Sequence, residues 1–451
     1  MGRGVAEARE RPLGRRTRLR AVWPGRQTGR LHAAGAVAVA LVAWRTVTTT
    51  TGLVSVDEVR AAAQRLTGVL RPTPTEVADT LSRLCGRPIL LKPEHRQRTG
   101  SFKIRGAYHH ISSLPRDGTR VVAASAGNHA QGVALAASLV GVPARIFMPV
   151  AAPLPKVEAT RAYGAEVVLL GETVDEALAA AVEDAATSGA RFVPPFDDPL
   201  IIAGQGTIGL ELVAEAPGAE VVVVPVGGGG LISGIAVALK ALQPSVRVVG
   251  VQAERAAAMV VSVAAGEPTR LDHVSTIADG IALKCPTALT VAHVAELVDE
   301  LVTVSEEEIG RALILLLERT KAVVEPAGAV GLAALLAGKV GGDGPAVAVL
   351  SGGNVDPLML VKLIEHGLSA SGRFLRLRIV ALDRPGALAA ITNRVAELGL
   401  NIVAVEHHRA GVTVGVNEVE MLLTLETRDP DHRLRVVDLL RADGWVVDLV
   451  G

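Results

Sequence analysis

The sequence predicts an α/β protein followed by a smaller, ferredoxin-like domain. In the middle of the chain, short runs of β-branched residues alternate with alanine-rich stretches of helical length, a pattern typical of a mostly parallel sheet covered by helices. The expected strands span residues 121–124, 144–148, 166–170, 221–226, 246–252 and 346–350. With 451 residues, 49% of them hydrophobic, the chain can bury the cores of two or three domains.

The N-terminal segment differs in composition from the rest of the chain. Residues 1–45 contain ten arginines and two glutamates, a net charge of +8, whereas the whole chain balances 46 basic against 46 acidic residues. An export signal fits poorly, because arginines separate the pair Arg15-Arg16 from the apolar run and no small-residue cleavage site follows. We therefore expect residues 1–48 to be a disordered extension, or sequence upstream of the true start. Folded structure should begin at Ser55, which with Glu58 fits a helix capping box.

Composition excludes several classes of protein. Zero net charge and 2% aromatic residues argue against nucleic-acid binding. The mean hydropathy of +0.38 comes from short apolar stretches that charges interrupt, well below the ~18 to 20 residues of a membrane-spanning helix. Cys85 and Cys285 are too few for a disulfide framework or a zinc site. These features predict a cytoplasmic protein that acts on a small molecule.

The first chemically suggestive segment spans residues 98–107, in which Lys103 has mostly small and apolar neighbours. A lysine that loses its proton through burial is a nucleophile toward an aldehyde. Taken alone, a lysine in this setting is more often a solvated residue on a helix surface. The segment becomes informative only in combination with others.

A second segment, residues 124–132, connects the expected strand 121–124 to an alanine-rich helix. Backbone amides at the start of a helix can hold a carboxylate. The alternative is an ordinary strand-to-helix turn in which Asn128 only caps the helix.

Two further loops follow predicted strands. Gly227–Gly230 come directly after strand 221–226, where a glycine loop at a helix start can hold a phosphate. The loop lacks the Gly-Lys-Ser/Thr ending of a P-loop and the G-x-G-x-x-G pattern with its acidic partner, so neither nucleotide-binding class fits. Ser351 follows strand 346–350, and alone it would be a turn residue.

In this order, the four segments resemble those of the fold-type II pyridoxal-phosphate enzymes, and most closely the threonine dehydratase (threonine ammonia-lyase) family, over residues 54–364. The resemblance implies a catalytic domain over residues 49–366 with two open α/β subdomains, the small one over about residues 116–202. It also implies pyridoxal 5'-phosphate as the cofactor. The implied reaction converts L-threonine to 2-oxobutanoate and ammonia, and L-serine to pyruvate.

The same resemblance implies a role for each matching residue. Lys103 would form the Schiff base with the cofactor and remove the α-proton of the substrate. Phe102 would lie against the cofactor ring, Asn128 would bond the ring hydroxyl, and Ser351 would face the ring nitrogen. The phosphate would be held by Gly227, Gly228, Gly229, Gly230 and Leu231. The substrate carboxylate would be bound by the backbone amides of Ser125, Ala126, Gly127, Asn128 and His129.

Three other functions remain open at this point: a serine dehydratase, a serine racemase of the same fold type, and a non-catalytic amino-acid sensor. Racemases that resemble this chain carry a serine where Ala126 stands, and that serine is their second proton donor. They also bind a divalent ion through a glutamate and an aspartate, where this chain has Glu254 and Val260, so we predict no such metal site. The intact Lys103 and glycine loop argue against a sensor.

The region 373–451, after an expected linker at 367–372, reads as a ferredoxin-like βαββαβ unit. Its expected strands span residues 374–382, 402–409, 418–426 and 445–450, and its expected helices span residues 386–398 and 431–443. At the first strand-to-helix turn, Asp383 is expected to cap the helix, Pro385 to lie in its first turn, and Gly386 to admit a ligand to the amides.

This region resembles a single ACT domain, a regulatory module that commonly binds an amino acid across a dimer interface. The resemblance implies an amino-acid effector and a homo-oligomer, either a dimer or a tetramer. The implied effector-binding residues are Asp383, Pro385, Gly386, Ala387 and Asn401. The alternative is a module that serves dimerisation alone, since a fold does not fix a function.

Overall fold

The computed structural model describes residues 52–370, 373–409 and 415–450. The expected extension over residues 1–48 therefore lies outside the described residues. The chain divides into two compact units, of which the first ends at Asp356 and the second begins at Pro357. Among the described helices we find no candidate for a membrane-spanning segment.

The first unit alternates strands with helices along most of its length. Its strands are β1 Glu76–Val77, β2 Ile89–Lys92, β3 Val121–Ala124, β4 Ala144–Met148, β5 Glu166–Leu169, β6 Arg191–Phe192, β7 Val221–Pro225, β8 Arg247–Ala253, β9 Glu300–Val304 and β10 Ala346–Val349. Its helices are α1 Val56–Leu66, α2 Asp79–Cys85, α3 Lys103–Ser113, α4 Asn128–Val140, α5 Leu154–Ala162, α6 Val174–Ser188, α7 Pro199–Glu215, α8 Gly230–Leu242, α9 Ala258–Ala265, α10 Ala288–Leu297, α11 Glu306–Leu315 and α12 Pro326–Leu336.

These strands form two sheets. The larger sheet has the order β1-β2-β10-β7-β8-β9, and the smaller has the order β5-β4-β3-β6. All neighbours pair in parallel except β1 and β2. The prediction of a mostly parallel sheet is thereby confirmed, and the six predicted strands are present with end shifts of at most one residue. Every residue of β3, β7 and β10 is buried, as expected of strands that helices cover on both faces.

The first helix starts where the sequence predicts it. The Ser55 hydroxyl accepts a hydrogen bond from the Glu58 amide, and the Glu58 carboxylate accepts one from the Ser55 amide. The predicted capping box is confirmed. It satisfies two of the amides that a helix start leaves without partners.

A group of buried charges lies behind the start of α3. Arg105, two residues after Lys103, donates to Glu94 through Nε and Nη2, both at 2.8 Å. Glu211, on α7, forms ion pairs with both Arg105 and Lys92. Nζ of Lys92 lies 2.7 Å from Oε2 of Glu211. We call Lys92, Glu94, Arg105 and Glu211 the Arg105 network. The side chains of Lys92, Glu94 and Arg105 are at most 1% exposed, so their charges depend on one another for compensation.

The second unit begins with α13, Pro357–Ala370, and continues as a βαββαβ unit. Its elements are β11 Phe374–Leu382, α14 Ala387–Glu397, β12 Ile402–His408, β13 Glu418–Glu426, α15 Pro430–Ala442 and β14 Val446–Leu449. The sheet is antiparallel in the order β12-β13-β11-β14. Alternate residues of β11 and β13 pack with α14 and α15 in one core. The predicted ferredoxin-like domain is confirmed.

Two local predictions in this region were wrong. The expected linker at 367–372 is helical as far as residue 370, because a single glycine costs a helix only about 1 kcal/mol and its leucine and alanine neighbours favour helix. Residues 371 and 372 lie outside the described residues. Asp383 does not cap α14: Gly386 is the N-cap, Pro385 precedes it, and the Asp383 carboxylate lies 3.5 Å from Nε of Arg409.

Candidate active site

All the first-unit residues that we predicted to bind cofactor or substrate line one cavity of about 740 Å³. The loops that carry them follow β3, β7 and β10 or open α3, and the carboxyl ends of parallel strands meet at one edge of each sheet. Strands of both sheets therefore contribute to the cavity. Folding brings together segments that lie more than two hundred residues apart in the sequence.

Lys103 is the first residue of α3 and carries the amine of the cavity. Its Nζ donates a hydrogen bond to the carbonyl oxygen of Pro195 at 2.8 Å, and lies 5.3 Å from the centre of the Phe102 ring. Burial lowers the pKa of Lys103 to about 8, although the nearby charge of Glu325 opposes this shift. A useful fraction of the amine is therefore neutral close to physiological pH, as a nucleophile or base requires.

The glycine loop presents bare backbone to the cavity at the start of α8. Gly229, the N-cap, has a φ of 95°, a conformation that glycine adopts without strain. The first amides of α8 have no acceptor within the helix, and they lie at its positive end. This donor set suits an anion such as a phosphate. The loop is also tightly packed, since a Cβ on Gly228 would lie 2.3 Å from the Phe196 ring.

We expect Gly229→Ala to lose cofactor affinity and to destabilise the fold by about 1–3 kcal/mol, the usual cost of a strained backbone position. Its Cβ would lie 2.7 Å from Cε of Met259 and 2.8 Å from Cβ of Thr290. Equilibrium dialysis against pyridoxal phosphate and a thermal melt measure the two effects. Gly266→Ala is the matched control, because Gly266 has a φ of 77° and open space around it. Equal cofactor affinity in the two variants would contradict the assignment of the loop.

In the segment 124–132, only some of the backbone amides are available for the predicted binding of a carboxylate. The amide of Ser125 donates to the carbonyl of Phe147, and the amide of Gly127 donates to the Ser125 hydroxyl. Both amides thus have acceptors within the protein, which corrects the expectation that all five backbone amides bind a carboxylate. The amides of Asn128 and His129 open α4 and have no acceptor within the helix. These two fit a carboxylate ligand.

His129 contributes no charge to the cavity. Its Nε2 lies 3.0 Å from the carbonyl oxygen of Val193. Burial, together with the charge of Lys103, lowers the pKa of His129 to about 3. The imidazole is therefore neutral at physiological pH and offers no positive charge to a carboxylate.

A backbone hydrogen bond connects Phe102 and Ser351, which both line the cavity. The Phe102 amide donates to the Ser351 carbonyl at 3.2 Å, which fixes the start of α3 against the end of β10. Ser351 is buried, and it lines the same cavity as Lys103. The structure thus places the predicted hydroxyl and the predicted amine in one site.

Several residues of the site escaped the sequence analysis. Glu325, the N-cap of α12, is buried in the cavity wall, and its Oε1 accepts a hydrogen bond from Nδ2 of Asn128 at 2.7 Å. Burial raises the pKa of Glu325 to about 7. Phe196 covers the glycine loop, and Asn354 donates to Oδ1 of Asn128. The only sequence signal for Glu325 is its position before Pro326, a pair typical of a helix start.

Two ion pairs lie where elements beside the two sheets meet at the cavity. Nζ of Lys156, on α5, lies 3.0 Å from Oδ2 of Asp279, and both residues line the cavity. Arg270 pairs with Asp175 at 3.2 Å, from the loop after α9 to the start of α6. Each pair connects an element beside the smaller sheet to a loop beside the larger one.

Comparison with known proteins identifies the family. The model described as "Pyridoxal-phosphate dependent enzyme" matches residues 66–352, and the model described as "ACT domain" matches residues 375–442. The chain belongs to the pyridoxal-phosphate dependent enzymes. Its C-terminal unit is an ACT domain, as the sequence predicted.

The residues present fit this family's cofactor. An aldehyde needs a neutral amine, which Lys103 supplies, and a phosphate needs several donors near a helix start, which the α8 amides supply. Both open onto one cavity of about 740 Å³, within the usual size of a small-molecule site. Lys103 and the start of α8 therefore fit the aldehyde and the phosphate of pyridoxal phosphate.

Relatives of this enzyme align over nearly their whole length. The L-threonine ammonia-lyase of Thermotoga maritima is 48% identical over 88% of this chain and 100% of the relative, and that of Geobacter sulfurreducens is 47% identical over 87% and 98%. The solved T.th. threonine deaminase superposes with a TM-score of 0.64 at 44% identity, over 67% of this chain and 99% of that one. Maize serine racemase superposes with a TM-score of 0.66 at 34% identity, over 71% and 99%.

Proposed function

We propose that this enzyme deaminates L-threonine to 2-oxobutanoate and ammonia, with L-serine converted to pyruvate as a second substrate. The observation that carries the proposal is that Lys103 and the glycine loop at the start of α8 line the same cavity. The names of the relatives that align over nearly their full length support the choice of substrate.

The chain's own residues suit an elimination. Pyridoxal phosphate, when bound, supplies a ring system that withdraws electrons and acidifies the α-hydrogen of an amino acid. Lys103 is the base that removes this proton, because burial lowers its pKa to about 8 and so leaves a fraction of the amine neutral near physiological pH. The amides of Asn128 and His129 hold the carboxylate and so fix the α-carbon beside the base. The β-hydroxyl takes up a proton and leaves as water, and the enamine that remains tautomerises to an imine, which a water molecule hydrolyses to the oxo acid and ammonia.

Ser351 favours this outcome over other chemistry on the same cofactor. A carboxylate facing the ring nitrogen would hold a full positive charge there and stabilise a long-lived negative charge on the substrate. A hydroxyl cannot do so, and the β-hydroxyl should therefore leave early. Ala126 also favours elimination over racemisation, because an alanine side chain cannot supply the second proton donor that a racemase needs at this position.

A coupled oxo-acid assay on L-threonine, L-serine and D-serine tests the proposed function. We expect 2-oxobutanoate from threonine to be the fastest product, with slower pyruvate from serine and negligible interconversion of the serine enantiomers. A higher kcat/KM for serine would indicate a serine dehydratase, and rapid D-serine formation would indicate a racemase. No oxo acid from a chain that binds the cofactor would indicate the amino-acid sensor.

The metabolic setting belongs to the same proposal. The reaction would serve isoleucine biosynthesis or threonine catabolism, since 2-oxobutanoate enters either route. Cys85 and Cys285 are free thiols, which supports a reducing, cytoplasmic environment.

The ACT domain gives the proposed enzyme an amino-acid effector, for which we expect isoleucine or valine, within a homodimer or homotetramer. Support comes from the turn before α14, where Gly386 has a φ of 92° and no heavy atom near its Cβ position. The Ala387 amide donates to the carbonyl of Arg384, whereas the next two amides of α14 have no acceptor within the helix and suit a carboxylate. Asp383 and Arg409 lie beside this turn, and Asn401, which donates to Glu426, precedes β12.

We expect a saturating effector to shift the threonine half-saturation by about 5- to 150-fold, the usual range of such coupling. Gly386→Asp should abolish the shift, because its carboxylate repels that of the effector. Gly386→Asn is the matched control, since it carries the same backbone strain without the charge. Saturation curves of both variants with isoleucine and valine measure the effect. Equal responses in the two variants would contradict this site, and no response in the unmodified enzyme would favour a dimerisation module.

A further inference from the structure

Four groups from separate parts of the first unit form a continuous row of hydrogen bonds beside the cavity. Nδ2 of Asn354 donates to the Thr99 carbonyl and to Oδ1 of Asn128, both at 2.7 Å. Nδ2 of Asn128 donates in turn to Oε1 of Glu325, also at 2.7 Å. We call this row, Thr99–Asn354–Asn128–Glu325, the Asn128 relay. It connects the loop before Lys103 to α4 and α12.

The direction of the relay is fixed by the backbone. A carbonyl oxygen can only accept, so the amide nitrogen of Asn354 must face Thr99. That nitrogen also faces Asn128, which must therefore present its oxygen to Asn354 and its nitrogen to Glu325. Asn128 has one N–H left over, which can donate to a ligand. An anionic or carbonyl oxygen fits this hydrogen, and a cation does not.

Two glycines keep the space that the relay occupies. A Cβ on Gly100 would lie 2.4 Å from Oδ1 of Asn354, and a Cβ on Gly352 would lie 2.3 Å from Oε1 of Glu325. Gly100 also has a φ of 72°. A side chain at either position would displace a member of the relay. The relay therefore gives a steric reason for glycine at positions 100 and 352.

Glu325 is coupled by charge to Lys103. Glu325 is faced by the side-chain amide of Asn128, on α4, and by the charge of Asp279, in the loop before α10. It is also faced by two positive charges, those of Lys156 on α5 and Lys103 on α3. Burial and Asp279 raise the pKa of Glu325, whereas Asn128, Lys156 and Lys103 oppose the rise. Glu325 in turn opposes the fall in the pKa of Lys103. The proton affinities of the two groups therefore depend on each other.

We propose that Glu325 is a positioning residue of the reaction. It holds Asn128 in one orientation through a hydrogen bond of 2.7 Å, and it lines the same cavity as Lys103, where its charge acts on the lysine amine. This inference rests on the proposed function for its chemical meaning. An ionised Glu325 favours the ammonium form of Lys103, and a protonated Glu325 favours the neutral amine that acts as a base. Through Asn128, the same carboxyl fixes the donor that the cavity offers to an oxygen of the cofactor.

Glu325→Gln tests the charge and leaves the hydrogen bond in place, because the glutamine oxygen can still accept from Asn128. The full-length chain, freed of cofactor, is labelled with an amine-reactive reagent as a function of pH, and the label on Lys103 is quantified by mass spectrometry. The unmodified chain should show a midpoint near 8. In the variant this midpoint should fall by roughly 1 unit, the effect of removing a nearby opposite charge. The pH midpoint of the visible cofactor band of the holoenzyme should fall as well.

Glu318→Gln is the matched control. It removes the same charge seven residues earlier, from a side chain that is 41% exposed, and its Lys103 midpoint and turnover should stay unchanged. Asn354→Asp tests the other end of the relay, because its carboxylate would face two acceptors. We expect it to raise the dissociation constant of pyridoxal phosphate by at least ~5-fold.

An unchanged Lys103 midpoint in a folded Glu325→Gln variant would overturn the proposal. So would an unchanged cofactor affinity in Asn354→Asp. Neither measurement uses threonine. If the unmodified enzyme failed to deaminate threonine while both shifts appeared, the proposed function would be wrong and the relay would stand.

Discussion

Lys103→Ala is expected to reduce kcat/KM for threonine by at least ~10³-fold, because the change removes both the nucleophile for the cofactor and the base of the reaction. The alanine variant keeps the α8 amides and Ser351, so it should still bind pyridoxal phosphate without a covalent link. Oxo-acid production measures the loss of activity. Borohydride treatment of the unmodified enzyme, followed by peptide mass analysis, should place the reduced adduct on Lys103.

Lys362→Ala is the control for this change, since Lys362 is exposed on α13 and belongs to the other unit. It should leave turnover and cofactor spectrum unchanged. Normal turnover by Lys103→Ala, or a borohydride adduct on a different lysine, would show that the reactive amine lies elsewhere.

Arg105→Met should lower the free energy of unfolding by about 3–5 kcal/mol, the usual cost of removing one partner from a buried ion pair. Burial alone would lower the pKa of Arg105, but Glu94 and Glu211 raise it above its usual value, so its charge is permanent. Without that charge, the completely buried Glu94 would lose its cation. Urea denaturation at neutral pH measures the change.

Two further variants separate charge compensation from packing. Arg60→Met removes an exposed arginine that pairs with Asp57, and its effect should stay within about 0.5 kcal/mol. Adding Glu94→Gln to Arg105→Met should restore part of the lost stability, because it removes the uncompensated carboxylate. A single variant as stable as the unmodified protein would contradict this account of the Arg105 network.

The groups that the sequence could predict belong to local patterns. Lys103, the Gly227–Gly230 loop and Ser351 each lie at a helix start or just after a strand, where residue type and neighbours carry the signal. The succession of strands and helices along the ACT domain follows from local hydrophobic patterns in the same way. The expected cap at Asp383 failed because the turn places Gly386, with its positive φ, at the N-cap instead.

The sequence by itself determined the fold class and the two domains, because both depend on the periodicity of short stretches of chain. It indicated the residues of the cofactor site only through the joint resemblance of four segments to a known family. Only the tertiary structure decided how the site is charged. Glu325 and Asn354 meet Asn128 from 197 and 226 residues away, and Lys103 finds its acceptor at Pro195. Burial, which no short stretch of sequence encodes, then lowers the pKa of Lys103 and raises that of Glu325. Proton affinity in this cavity is a property of the packed elements around it, since desolvation depends on every atom that excludes water.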